Sequence, residues 1–169
     1  MSSCHLSLAK PEFYLQNFRV EAPEPRPEST ITPRRLGCII INAATESSAT
    51  LLGRTFSAPE EGAPALPVER VLVPASFGLV PHWVKSASDG RLRALKLVNA
   101  KIDNLTTGTA FRDAWLAGQR CIVPLQSFQV DDLRPGKPLP TRITRVDNQP
   151  MGAAGVWARW VGEDGEVIV

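Results

Sequence analysis

The amino-acid sequence predicts an α+β domain built on a strongly curved, mostly antiparallel β-sheet with a few short helices. Short runs rich in β-branched residues recur along the chain and are separated by turn residues, which is typical of many short strands. Only two stretches have the spacing of an amphipathic helix. They do not alternate regularly with the strand-like runs, as the helices of a parallel βαβ sheet would.

The first predicted element is a short helix over residues 11–18. Pro11 suits a first helical turn, because its missing N–H would have no partner there. Tyr14 and Phe18 lie four residues apart and therefore share a face.

The stretch that follows alternates between extended and strand-like patterns. Residues 21–35 contain four prolines, so we expect an extended surface segment and no helix. The Ile-rich run at 37–41 predicts a buried strand. Residues 43–67 are rich in Ala, Ser, Gly and Pro and predict a mobile loop, and residues 68–73 predict the next strand.

The clearest helical pattern covers residues 109–117. Thr109 is positioned to cap the helix, Phe111 and Trp115 lie on one face, and Gly118 can end it.

Four further strands complete the predicted sheet, at residues 121–124, 141–146, 153–160 and 166–169. The dipeptide Asp147-Asn148 stands between two of them and predicts a hairpin turn. The last strand ends the chain in an apolar run, and an unpaired apolar strand is a sheet-edge liability. We therefore expect one domain over residues 1–169 that is truncated at its C-terminus.

Composition bounds the class of protein. Apolar residues make up 43% and charged residues 21% of the 169 residues, as in ordinary globular proteins. No apolar run approaches the ~20 residues of a membrane-spanning helix, and the N-terminus does not resemble a secretory signal. We expect a cytoplasmic protein that makes no membrane contact.

The cysteine and histidine content argues against a metal site. Three cysteines lack paired spacing, and the two histidines, His5 and His82, are far apart in the sequence. The cysteines predict buried, reduced thiols, with Cys121 as a small core residue. We therefore expect no metal and no other cofactor.

The positive charge is concentrated in residues 85–120, which contain seven Lys or Arg and three Asp. The flanking segments are slightly acidic. Such a distribution favours a local phosphate-binding face, although a solvated surface would also produce it.

Four stretches together resemble the SOS-response-associated peptidase family. They are FGLVPHWVK at 77–85, NAKIDN at 99–104, AFRDAW with RCIVP within 110–124, and AAGVWARW at 153–160. TITPR at 30–34 is a weaker match. The resemblance implies the barrel-like fold of that family, binding of single-stranded DNA and of abasic sites, and a role in the SOS response to DNA damage. It also implies covalent capture of an abasic aldehyde by an N-terminal cysteine, and a leader-removing peptidase activity.

Most positions of that covalent chemistry have changed in this sequence. Ser2 stands in the place of the cysteine, and Cys4 lies two residues too late unless the chain is processed. Val130 stands in the place of the glutamate, and Asp131 would face the opposite side of a strand. The family's histidine belongs to a motif beyond residue 169.

Asn99 is retained, so Ser2 and Asn99 are the candidate catalytic residues. Ser2 could still supply an α-amine, which is partly neutral near pH 7 and able to form a Schiff base. Its hydroxyl is a weak nucleophile without an activating base, so a ring would close only reluctantly.

The candidate DNA-binding residues combine cations with aromatic rings. They are Pro33, Arg34, Phe77, His82, Trp83, Lys101 and Arg112. Lys101 replaces a family arginine, which keeps the charge and loses the bidentate fork. Phe77 and Trp83 offer stacking surfaces of the kind that single-strand binders use, and core packing is the alternative for Trp83. Phe111, Trp115, Trp157 and Trp160 are expected in the core.

Three functions remain open from the sequence. The first is a monomeric module that binds single-stranded DNA, with or without abasic sites, and has lost its covalent and peptidase activities. The second is a weakly active crosslinking enzyme acting through Ser2 or a processed Cys4. The third is an inert remnant or a protein-interaction domain.

Overall fold

The computed structural model describes residues 2–62, 64 and 67–169, and for residues 2 and 3 it describes the backbone alone. Ten strands lie in this part of the chain. They are β1 Ser2–Leu6, β2 Thr30–Ile31, β3 Leu36–Asn42, β4 Arg70–Ser76, β5 Arg120–Leu125, β6 Ser127–Asp132, β7 Leu139–Ile143, β8 Met151–Val156, β9 Trp160–Val161 and β10 Val167–Ile168.

These strands form two four-stranded sheets and a two-stranded ribbon. Sheet A has the order β2-β1-β6-β7, sheet B has the order β4-β3-β5-β8, and β9 pairs with β10. Every pairing among the described strands is antiparallel. The predicted α+β class with antiparallel sheets is therefore confirmed.

The helices are few and short. They are α1 Glu46–Leu52, α2 Ala87–Ala94 and α3 Arg112–Leu116, with a π-helical turn at Tyr14–Phe18 and a 3₁₀ turn at Ile102–Asn104. The predicted N-terminal helix is thus present as a short turn. Its two aromatic rings lie on the same side, with Tyr14 buried and Phe18 packed against the same core cluster.

The central strand β3 is buried on both faces, which explains its continuous Ile-rich sequence. Ile39 and Ile41 point into the core of sheet B, beside Trp157. Cys38 and Ile40 point the other way, where they meet Tyr14 and its neighbours. Alternate residues of a strand face opposite sides, so only a strand covered on both faces needs an uninterrupted apolar run.

The prediction of a mobile loop over residues 43–67 is wrong for its first part, because α1 lies within it. The Thr45 side chain accepts a hydrogen bond from the Ser48 amide at 3.3 Å and caps the helix. Gly53 ends the helix in a left-handed conformation with φ of 65°. This pairing of an N-cap threonine with a terminating glycine was the local signal for the helix.

We expect Thr45→Ala to lower the free energy of unfolding by about 1 kcal/mol, because it removes the N-cap of α1. Thr50→Ala is the matched control, since Thr50 lies on the same helix and bonds only to the Glu46 carbonyl. Urea unfolding of both variants measures the difference. Equal losses of stability would mean that the cap does not stabilise α1.

Two other local predictions need correction. A turn is present at Asn148, whose amide donates to the Arg145 carbonyl at 3.1 Å. It does not close a hairpin, because β7 pairs with β6 and β8 pairs with β5. Thr109 is not the N-cap of α3, which begins after Phe111 with no side-chain cap.

The chain passes between the two sheets at three places. Residues 32–35 connect β2 to β3, residues 144–150 connect β7 to β8, and the single residue Gln126 separates β5 from β6. The Gln126 amide donates to the Leu6 carbonyl at 2.8 Å, and its side chain donates to the Asn148 carbonyl at 2.9 Å.

Candidate nucleic-acid interface

A cavity of about 500 Å³ lies between the two sheets. Sheet A contributes His5, Ile31 and Phe128 to its wall. Sheet B contributes Ile39, Ala75, Cys121, Val123 and Ala153, helix α3 contributes Trp115, and the loops contribute Phe77, Asn99, Phe111 and Trp157. The wall is mainly apolar and aromatic, as in sites for small planar ligands.

The cavity is open at the segment that follows Asn99. Ala100 is exposed and Ile102 is 82% exposed, although both line the cavity. Lys101 lies between them and is also exposed. Asn99 itself is half-buried in the cavity wall. The structure therefore places the predicted Asn99 and Lys101 at the mouth of the same cavity.

The backbone register places Ser2 directly opposite Val130. β1 pairs with β6 so that Ser2 lies across from Val130, Cys4 from Gln129 and His5 from Phe128, with a bulge between Ser2 and Cys4. Val130 is half-buried, whereas Asp131 is exposed and pairs with Pro140. The position across from Ser2 thus holds an apolar residue, and Asp131 does not take the place of the family's glutamate there.

The surroundings of Cys4 do not suit a free nucleophile. Its side chain is buried, and its Sγ donates to the Gln129 side-chain oxygen at 3.0 Å. Cys121 is also buried, and burial raises the pKa of its thiol to about 12. A thiol with so high a pKa stays protonated at neutral pH and is a poor nucleophile. The prediction that Cys121 is a buried core residue is confirmed.

Phe77 joins the segment around Arg34 to the cavity. The Arg34 amide donates to the Phe77 carbonyl at 2.7 Å, and the Phe77 amide donates to the Arg35 carbonyl at 3.0 Å. The half-buried ring of Phe77 makes an edge contact with the His5 ring, with 5.2 Å between the centroids. Pro33 precedes this segment and is half-buried.

The remaining candidates form a second group around the start of α3. His82 Nδ1 lies 3.5 Å from a carboxylate oxygen of Asp113, and the Arg112 guanidinium lies 3.2 Å from the same carboxylate. Trp83 Nε1 donates to the Thr109 carbonyl at 3.4 Å. The ring of Trp83 is 43% exposed, so it is not a core residue.

One face of Trp83 is already occupied. The Arg93 guanidinium carbon lies 5.0 Å from the centre of its ring, which is a cation–π contact. The candidate DNA-binding residues therefore fall into two groups. One lies in or next to the cavity wall, with Phe77, the neighbouring Arg34 and Lys101, and the other surrounds the start of α3, with His82, Trp83 and Arg112.

The basic segment 85–120 is partly neutralised by its own neighbours. Its ion pairs are Arg91 with Glu166, Arg93 with Asp89 at 2.9 Å, and Arg112 with Asp113. Arg120 lies over the Trp115 ring at 4.1 Å. Within the described chain, Lys85, Lys96 and Lys101 have no acidic partner. The charge available for phosphate is thus smaller than the composition indicates.

His5 is the residue that sequence reasoning missed, having been considered only as a metal ligand. Its side chain is 7% exposed, and burial lowers its pKa to about 4, so the ring is neutral at pH 7. Its position depends on the bulge in β1, which no sequence pattern indicated. The described residues contain no cluster of three or more His, Cys, Asp or Glu that could hold a metal ion. No helix in the described part has the length and hydrophobicity needed to cross a membrane.

Two antiparallel sheets around an open cavity, with polar and cationic residues at its mouth, define a small α+β binding domain. The chain belongs to the SOS response associated peptidase family, whose sequence profile matches residues 4–169. This family is associated with DNA binding and abasic-site processing in the SOS response. The resemblance found in the sequence is therefore confirmed.

Solved structures support the same fold. A protein from Bordetella bronchiseptica is 27% identical with a TM-score of 0.69, and the alignment covers 98% of this chain and 68% of that one. A protein from Bacteroides thetaiotaomicron is 18% identical with a TM-score of 0.68, covering 98% and 64%. This chain thus spans about two thirds of the length of these structures. No curated protein sequence matches it.

Proposed function

We propose that this chain binds single-stranded DNA, including strands with abasic sites, and has lost the covalent crosslinking and peptidase activities. The observation that carries the proposal is Val130, which lies across from Ser2 where an acid would have to move protons. A valine side chain can neither accept nor donate a proton, so the amine and hydroxyl of Ser2 gain no activating base from this position.

Retention of binding is supported by the groups at the cavity mouth. Lys101 is exposed, has no acidic partner in the described chain, and adjoins Asn99. Arg34 is exposed and is held beside Phe77 by a backbone hydrogen bond. Cations that neighbour an open aromatic cavity suit a strand whose phosphates remain outside while its bases turn inward.

The direct test is fluorescence anisotropy with single-stranded, abasic single-stranded and duplex oligonucleotides over a salt series. We expect salt-sensitive binding that prefers the single strand. Absence of binding at low salt would contradict the proposal and favour the inert or protein-interaction alternative.

Size-exclusion chromatography tests the accompanying proposal that the protein is a monomer, and fractionation of cells tests its cytoplasmic location.

Replacing Lys101 by glutamine is expected to weaken single-strand binding several-fold and to reduce the salt slope by about 0.7, the value of one phosphate contact. Lys10→Gln is the matched control, because Lys10 lies over the Phe13 ring, outside the cavity wall. The readout is the slope of log affinity against log salt for both variants. An unchanged slope in Lys101→Gln would remove Lys101 from the interface.

The second candidate function is a reversible Schiff base at the Ser2 amine. Borohydride treatment of the protein with an abasic oligonucleotide would trap such an adduct. We expect no trapped adduct above the level seen with protein whose N-terminal amine is blocked by acetylation. An adduct that forms in the unmodified protein and disappears when that amine is acetylated would favour the enzyme instead.

A further inference from the structure

The cavity between the sheets has more room and more aromatic surface than a DNA backbone contact requires. Its volume of about 500 Å³ is large enough for a nucleoside, and its wall contains the rings of Phe77, Phe111, Trp115 and Trp157. Contacts with phosphates are made by exposed cations, and they do not need a cavity. The cavity is therefore suited to a planar, largely apolar ligand that can pack against these rings.

His5 supplies one of the polar side chains of this cavity wall, together with Ser76 and Asn99. It lines the cavity and is 7% exposed, and its imidazole forms no hydrogen bond with a described residue, so its ring nitrogens remain accessible from the cavity. Its neighbours are Phe77, Ile31 and Gly37, none of which offers a charged or polar side chain. Buried polar groups in proteins nearly always have a partner, so an unpaired one that faces a cavity points to a ligand or to water.

The chemistry of the imidazole narrows the ligand class. A neutral imidazole carries one N–H donor and one acceptor nitrogen. The edges of nucleobases present donors and acceptors side by side, and their faces are flat and aromatic. A charged ligand would lose its hydration in this apolar wall without gaining a counter-charge.

The mouth of the cavity has the right charge for the rest of a nucleotide. Lys101 is exposed between Ala100 and Ile102, both of which line the opening. A strand whose phosphate contacts Lys101 would therefore present its adjoining base to the opening.

We propose that the cavity accepts one unstacked nucleobase of a bound single strand, which contacts the aromatic wall and forms hydrogen bonds with His5. The inference rests on the proposed function, because the base reaches the cavity only when the chain binds the strand. The base site itself can be tested without a strand.

The test uses the full chain and free deoxynucleosides as probes. Saturation-transfer NMR and titration calorimetry with deoxyadenosine, deoxyguanosine, deoxycytidine and thymidine measure binding to the unmodified protein, to His5→Phe and to Gln16→Phe. Gln16→Phe is the matched control, because Gln16 is exposed and lies outside both the cavity wall and the candidate DNA-binding residues.

We expect nucleosides to bind the unmodified protein and Gln16→Phe alike, and to bind His5→Phe about tenfold more weakly, the loss of a hydrogen bond to a buried group. In the unmodified protein, the His5 ring protons should shift on addition of nucleoside, a readout that does not depend on how well a variant folds. Nucleoside binding that is absent, or that leaves both the His5 signals and the His5→Phe affinity unchanged, would overturn the proposal.

Anisotropy with an oligonucleotide separates the two proposals. Strand binding without nucleoside binding would leave the proposed function standing and remove the base site. Nucleoside binding without strand binding would keep the base site and contradict the proposed function. Failure of both measurements would contradict both proposals.

Discussion

Gly78→Ala is expected to destabilise the fold by about 3 kcal/mol or more, because it combines backbone strain with a steric clash. Gly78 has φ of 117°, which L-residues rarely adopt. A Cβ at this position would lie 2.3 Å from the Ala94 carbonyl oxygen at the end of α2. This glycine allows the segment that carries Phe77 to pass close to the helix, so the change would also displace the cavity mouth.

Gly53→Ala provides the matched comparison for Gly78→Ala. Gly53 also has a positive φ of 65°, but no atom lies within 4 Å of its added Cβ. The cost there is the left-handed conformation alone, about 1 kcal/mol. Chemical unfolding of both variants isolates the contribution of the close approach. Similar losses in the two variants would show that the loop at Gly78 readily moves away from α2.

His5→Phe is expected to flatten the acid side of the stability profile. Burial lowers the pKa of His5 from 6.5 to about 4 in the folded protein, so between these values the unfolded chain binds a proton that the folded chain does not. Stability contributed by the neutral ring is therefore present above pH 6.5 and is lost as the pH falls. The loss from this residue between pH 7 and pH 4.5 is about 2 kcal/mol.

The measurement for this prediction is urea unfolding at pH 7 and at pH 4.5. The difference between the two pH values should be about 2 kcal/mol smaller in His5→Phe than in the unmodified protein. Gln16→Phe is the control and should leave the difference unchanged, since it replaces an exposed residue that carries no titratable group. A parallel decline in all three proteins would mean that water reaches the His5 ring and solvates its charged form.

The sequence predicts those elements whose burial is evident from their amino-acid composition. β3 was recognisable because both of its faces are buried and its residues are almost all apolar. β6 was not recognisable, because four of its six residues are polar and the strand is held by its pairing with β1 and β7. α2 has no apolar stripe, and Gly90 in its middle is explained only by Val80, which lies 2.8 Å from where a Cβ would be.

In the candidate site, too, the sequence indicates some features and leaves others to the structure. The resemblance identified Val130 as the residue in the place of the family's glutamate, and only the register of β1 with β6 shows that it lies across from Ser2. His5 escaped notice because its position depends on the bulge. In an uninterrupted strand, residues 2 and 5 would occupy opposite faces, whereas the bulge pairs them with Val130 and Phe128, which share a face of β6.

The three crossings between the sheets have a mechanical consequence. β5 and β6 form one nearly continuous stretch of backbone with only Gln126 between them, and Gln126 is bonded both to Leu6 in sheet A and to Asn148 in another crossing. These bonds fasten the corner to sheet A and to the crossing at residues 144–150, so we expect them to resist sliding of one sheet past the other. Widening of the cavity between the sheets would have to strain these bonds or the two longer crossings.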